Sequence, residues 1–265
     1  MGYKPDFVNE NEFINNKEIK YNIENTSIVI NVKWRKIDIN SFNDKLTSMY
    51  LKELISIIHS MTTNRRQLIT INYFQSKRKK RIPKQRLLTQ NEVNSGLCYI
   101  NSVNGDVNIE IYREEEFYKV LTHEMLHLYN VIPNDQEFEN YYRTMYDKLE
   151  YINTNEALVE LNALIINTII IHKLTGKSFN DLFEKEYRWA NHQKSKLLKM
   201  FDIKNNKEIN SKLKETTHAF SYYIIKQNLL EKILSNIDYK LTINKCKTNL
   251  SLRMTINDAK NYKIT

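Results

Sequence analysis

Glycine and proline are scarce, with four and three residues in a chain of 265. That scarcity excludes long Gly- or Pro-rich linkers and collagen-like repeats, and it favours a largely helical protein. There are two cysteines, Cys98 and Cys246, far apart and without a CxxC pair. A disulfide framework and a thiolate metal site are therefore not expected. Met1 to Glu12 is mostly polar and has no apolar signal core. The most apolar stretch, Ala163 to Ile171, is broken by Asn167 and Thr168 and is too short to span a bilayer. These absences predict a soluble, intracellular chain with no membrane span, of one domain or slightly more.

What is present is ordinary in amount: 27% charged and 41% apolar residues. The 40 Lys and Arg outnumber the 31 Asp and Glu, for a formal charge of +9. Such a surface prefers anionic partners, but lysine excess beside abundant Asn and Ile also follows from AT-rich coding. The run Lys77-Arg78-Lys79-Lys80-Arg81, with Pro83, Lys84 and Arg86 after it, reads as a solvated connection. A nuclear-import signal or a nucleic-acid contact over residues 77–86 is the alternative, though no aromatic residues interleave it for base stacking.

Apolar periodicity sets out the elements. Residues 1–25 read as an irregular or weakly strand-forming lead-in, and Thr26 to Ile39 alternates as a strand. Ser41 is placed to cap a helix over residues 43–59, ending at His59 near the helix dipole. Gln67 to Tyr73 is a second strand; Leu97 to Ile100 and Val107 to Tyr112 form a hairpin turned at Asn104-Gly105. Helices follow over Glu114 to Tyr129 (with Glu114, Glu115 and Glu116 in its first turn), Phe138 to Leu149, Tyr151 to Leu174, Phe179 to Met200 and Glu208 to Ser235. The expected division is an N-terminal α/β part over residues 1–75, a catalytic core over 76–240 and a basic tail over 241–265.

The chemistry gathers at His123-Glu124-Met125-Leu126-His127. Histidines four apart on a helix share one face, and the glutamate after the first can reach a water on a metal they hold; this is the HExxH pattern of zinc peptidases. Chance alone gives such a match in about 1 in 100 chains of this composition, so the surroundings must support it. A catalytic zinc needs a third protein ligand. Glu156 and Glu160 stand one turn apart on a helix that is apolar on nearly every face, where a carboxylate is costly unless a cation or donor meets it. Glu156 is the preferred ligand, with Glu160 holding a ligating imidazole from behind; the reverse assignment stays open, and Asp135 and Glu137 are weaker candidates. Glu124 is expected to act as general base. His218 with Tyr222 (an i, i+4 pair) and Tyr151 are candidate donors to a tetrahedral intermediate.

The segments Arg81-Ile82-Pro83 through Asn94-Ser95-Gly96, Ile109 to Arg113, Glu115 and Lys119 to His127 resemble the HExxH metallopeptidases encoded by large nucleocytoplasmic DNA viruses. Those proteins are similar to gluzincins, in which two histidines and a downstream glutamate bind zinc. The likeness covers about residues 75–235. It implies His123, His127 and Glu156 as Zn2+ ligands, Glu124 as base, and a peptide or protein substrate met in the host cytoplasm, nucleus or virion. The thermolysin-type pattern has an aspartate four residues after its third ligand, where this chain has Glu160. The resulting expectation is an α+β, predominantly helical, zincin-like domain with a small antiparallel sheet before the HExxH helix. A zincin fold that binds without cleaving is the rival.

Overall fold

In the computed structural model, residues 5–100, 107–235 and 251–262 are described. Among the described residues five strands form one mixed sheet: β1 (Asn15–Ile23), β2 (Thr26–Trp34), β3 (Leu68–Phe74), β4 (Gly96–Ile100) and β5 (Val107–Ile111), in the order β1-β2-β3-β5-β4. The outer pairs, β1 with β2 and β4 with β5, are antiparallel, while β2–β3 and β3–β5 are parallel. The expected small antiparallel sheet is thus corrected to a larger mixed one. Parallel neighbours need a crossover, and helix α1 (Asp44–Met61) supplies it between β2 and β3. The sheet joins strands from both sides of residue 75.

Strand β1 lies in the lead-in that reads as irregular or weakly strand-forming, and takes its strand-forming alternative. Glu24 and Asn25 both take positive φ, 46° and 68°, which makes the two-residue turn that folds β1 onto β2. Glu-Asn is a weak signal for such a turn. Here the Glu24 carboxylate is fixed by His59 Nδ1 at 2.8 Å, so His59 is paired as well as lying in the last turn of α1. The cap of α1 is Asn43, whose side chain accepts from Leu46 N, and not Ser41, which donates to Glu114. The Asn104-Gly105 turn falls outside the described residues.

Helix α2 (Gln90–Val93) precedes β4, and α3 (Phe117–Leu128) carries the HExxH motif. Helices α4 (Gln136–Met145), α5 (Thr154–Thr175), α6 (Phe179–Met200) and α7 (Ile209–Lys212) follow. The last expected helix is broken after α7. It resumes through a π-helical turn at Ser221–Ile225 and ends as α8 (Lys226–Ser235). Helix α5 begins at an Asn153 cap and stops at Gly176, whose φ of +66° suits glycine. It is long and apolar enough to cross a membrane, yet 67% of that stretch is buried inside the protein, as befits a core helix.

Two main cores result. One packs the sheet against α1, α3 and most of α5; the other gathers α4, the start of α5, α6, α7 and residues 219–225. Residues 251–262 return into the structure, with Leu252, Met254 and Ala259 buried.

The glutamates before α3 do not form its first turn. Glu116 precedes the helix at φ 66°, a left-handed conformation that costs a non-glycine residue about 1–2 kcal/mol. Its carboxylate is fully buried, 3.0 Å from Lys80 Nζ, and accepts the N–H groups of Met254 and Thr255. Burial alone would raise its pKa; Lys80, Lys119 and Arg253 hold it below the usual range. Glu115 accepts from the Lys80 N–H. Lys80 is therefore no part of a solvated connection: it anchors the basic run to the entrance of α3. Glu116→Ala would strand a buried ammonium, and we expect a loss of about 3–5 kcal/mol in unfolding free energy by urea denaturation. A loss below about 1 kcal/mol would show that Lys80 finds water or another partner.

Candidate metal centre

Helix α3 is buried along its whole length except at His127, which is partly open. Its packing fixes the two histidines on the side facing α5. His123 Nε2 and His127 Nε2 are 3.1 Å apart, and Glu156 Oε2 lies 3.2 Å from the first and 3.3 Å from the second. Glu156 is in the first turn of α5, where Asn153 caps the helix by accepting Glu156 N–H. These three residues offer donor atoms close enough to hold a metal ion.

Glu160, one turn further, meets the other nitrogen of His123: Nδ1 donates to Oε2 at 3.0 Å. A proton held at Nδ1 leaves Nε2 free to face Glu156. Glu160 is itself buried and receives Lys119 Nζ at Oε2 and Lys226 Nζ at Oε1, the latter at 3.4 Å. Its pKa, which burial would raise, is held low by those two lysines and His123. Burial works against the His123 charge, but hydrogen bonds to Glu156 and Glu160 raise its pKa to about 9. The Glu156 carboxyl falls well below its ordinary value because the two imidazoles outweigh burial.

Asp135 is not near this cluster in role; it caps α4 by accepting from Phe138 N–H, with Glu137 in the same first turn. Tyr222 donates to Glu156 Oε2 at 2.9 Å. His218 pairs through Nδ1 with the backbone carbonyl of Tyr151 at 2.9 Å, so Tyr151 contributes its main chain to the site. Both His218 and Tyr222 line a cavity of about 360 Å³ shared with His123, Glu124, His127 and Glu156. No family model, curated protein or solved structure matches this chain.

Glu124 is buried, and burial raises its carboxyl pKa against the pull of His123 and His127. Strand β4 presses directly on it. A Cβ at Gly96 would come within 2.6 Å of Glu124 Oε1 and 2.7 Å of Val120 Cγ1. On the same strand, burial and then the nearby Glu124 and Glu156 charges push the Cys98 thiol's pKa up. The sequence alone gives no role in the site to Gly96, Cys98 or the buried lysines Lys80, Lys119 and Lys226. Lys119 had a local signal, standing four residues before His123 on the same helix face. We expect Gly96→Ala to overpack the β4–α3 contact and lower unfolding free energy by about 1–3 kcal/mol. Unchanged stability in the same denaturation measurement would mean that β4 can retreat from Glu124.

Proposed function

We propose that this chain is a zinc-dependent metallopeptidase with a zincin-like, gluzincin-type site. The observation that carries the reading is the triangle of His123 Nε2, His127 Nε2 and Glu156 Oε2, with sides of 3.1, 3.2 and 3.3 Å. Ligands bonded at about 2.0–2.1 Å around a tetrahedral zinc stand about 3.3–3.4 Å apart, so the three atoms suit that ion with little rearrangement. Two imidazoles and one carboxylate leave a fourth position for water or substrate. Bound there, zinc would lower the pKa of a water to near neutrality and polarise a peptide carbonyl.

The chain's own groups would do the rest. Glu124 is placed to take a proton from the attacking water on its carboxylate and hand it to the leaving amine; its raised pKa favours that shuttle. Glu160 keeps the His123 proton on Nδ1, and Tyr222 and His218 stand on the α8 side of the cavity as donors for a developing oxyanion. Strand β4 is an edge of the sheet, packed on α3, and gives an extended peptide a strand to pair with.

Use of the basic run for nucleic acid has less support. Lys80 is buried against Glu116, Lys79 lies 3.8 Å from Glu115, and Arg78 covers the Phe7 ring.

Glu124→Gln is expected to retain zinc by metal analysis and lose hydrolysis by about 100-fold or more. Full turnover in that variant would remove the mechanism. Glu156→Ala should lose zinc, whereas Glu160→Ala should weaken it about 10–100-fold through His123. Equal zinc retention in both would end the gluzincin assignment.

A pH dependence follows as well. With a pKa raised to about 9, His123 is protonated at neutral pH in the metal-free protein, and its contribution to stability is lost as pH rises through that value. Zinc must displace that proton. Affinity should therefore rise with pH, by about tenfold per unit for one proton, and level off above about 9. Calorimetric titrations in buffers of different ionisation enthalpy would count the released protons. Zinc uptake without proton release at neutral pH would contradict it.

A further inference from the structure

A second cavity, of about 370 Å³, shares no lining residue with the first. Lys77, Arg78, Lys79 and Arg81 line it, all exposed, against one acid, Glu92. Glu92 Oε2 is already held by the N–H and hydroxyl of Thr89, at 3.1 and 2.6 Å. Three more acids stand around the rim. Asp38 lies 3.8 Å from Lys77 but is bonded to Arg35 at 2.9 Å. Glu115 lies 3.8 Å from Lys79 but accepts the Lys80 N–H, and Asp6 is held by Asn91 at 2.8 Å. With Arg35 and Arg113 counted beside the four lining cations, six positive groups face these four acids. Among the described residues, Arg78, Arg81 and Arg113 form no ion pair.

Arg113 provides the independent sign. It is fully buried, and its fork donates to the carbonyls of Asn94 and Arg78, at 3.2 Å each, and of Asn91. One side chain thus ties the basic run to α2, the two walls of the cavity, so that the cations stand in place before any ligand arrives. Its guanidinium meets only carbonyl dipoles directly; Glu115 and Glu116 act on it from further off. A buried charge left in that state is costly, and an anion in the cavity would answer it. Arg78 and Arg113 both cover the Phe7 ring, at 4.8 and 4.6 Å. Stacking occupies the face of the Arg78 guanidinium and leaves its N–H edge to a ligand.

We propose that this cavity binds the phosphate group of a small molecule. The proposal rests on no part of the metallopeptidase reading. A phosphate monoester carries nearly two charges at neutral pH and three acceptor oxygens, which suit two arginine forks and two lysines better than a carboxylate does. Ile82 and Pro83 give the same cavity an apolar wall for an organic remainder. A nucleic-acid strand would need cations spaced along its backbone and open aromatic faces. Here the cations line one cavity, and the Phe7 ring is covered by two guanidiniums.

The test is calorimetric titration of the full-length protein with inorganic phosphate, phenyl phosphate, acetate and a single-stranded oligonucleotide. Both phosphates should bind saturably, and acetate at least about tenfold more weakly. Arg81→Gln and, separately, Arg78→Gln should weaken phosphate binding by about tenfold. The double variant Lys84→Gln, Arg86→Gln removes two cations of the same run that do not line the cavity, and it should change binding by less than about twofold. Arg78→Gln uncovers Phe7 and risks loosening the wall; Arg81 is exposed, so its replacement leaves the fold intact. Phenyl phosphate binding more tightly than inorganic phosphate would identify an organic monoester, and equal binding the free ion; either sustains the site. Acetate binding as tightly as phosphate would overturn the phosphate assignment. Equal losses in the inner and outer variants, with the oligonucleotide the only tight ligand, would replace the cavity by a nucleic-acid surface. Phosphate binding indifferent to Arg81→Gln would put the anion elsewhere in the protein and overturn the proposal, as would no saturable binding up to about 10 mM.

Discussion

One buried carboxylate, Glu160, fixes the geometry on which the site depends. It accepts from Lys119 on α3, from Lys226 at the start of α8 and from His123 Nδ1, while its own backbone belongs to α5. Three helices are tied at a single point that water scarcely reaches. A desolvated carboxylate tolerates little movement of its partners, because each lost donor leaves charge unmatched in a poorly screened interior. The imidazole inherits that rigidity. With Nδ1 committed to Glu160, the other nitrogen of His123 can point only toward His127 and Glu156. Glu116 repeats the device immediately before α3, where Lys80 and two backbone N–H groups of the returning segment 251–262 hold a left-handed residue in place. Both ends of the motif's surroundings are thus set by ionic groups with nowhere else to go.

The parts of this arrangement visible in the sequence are those written at short spacing. His123 and His127 at i, i+4, and Glu156 and Glu160 at the same interval on an apolar helix, state their faces directly. That Glu156 joins the histidines while Glu160 takes the far nitrogen follows the preferred order, and the cap at Asn153 puts Glu156 in the first turn. Helix α6 covers the expected Phe179 to Met200, because the run is amphipathic over its whole length; Ser178 caps it by accepting the Asp181 N–H. What was hidden depends on residues far apart in the chain. Lys80 with Glu116 and Lys119 with Glu160 are joined by folding, and a lysine that will be buried looks like any other. The parallel pairings of the sheet are hidden for the same reason. Alternation shows that a strand has two faces, but it does not say which neighbour it takes or in which direction.

The break between α7 and α8 shows where local pattern misleads. Residues 208–235 keep a helical distribution of apolar side chains, yet Leu213 to His218 leave the helix. Within that stretch Glu215 accepts the Phe220 N–H, and burial raises its pKa to about 8. The chain re-enters through a π-turn at Ser221–Ile225 that carries Tyr222. An extra residue in a turn rotates the side chains that follow, and π-turns recur where a side chain must be aimed at a site. Here the aimed groups are Tyr222, on Glu156, and Lys226, on Glu160. Propensity favours a continuous helix; the two carboxylates of α5 favour the interruption.

That aim also decides how the cavity is used. Because α3 is enclosed by the sheet, α1 and α5, it cannot shift toward a ligand, and the ligand must come to it between the two cores. The sheet core offers β4 and the buried carboxylate of Glu124, with Gly96 small enough to let strand and carboxylate touch. The helical core offers Tyr222 and His218. A chain lying along β4 would pass the partly open His127 and Glu156. Strand pairing is blind to sequence, so discrimination would fall to the side chains that line the cavity beside β4, two lysines among three glutamates.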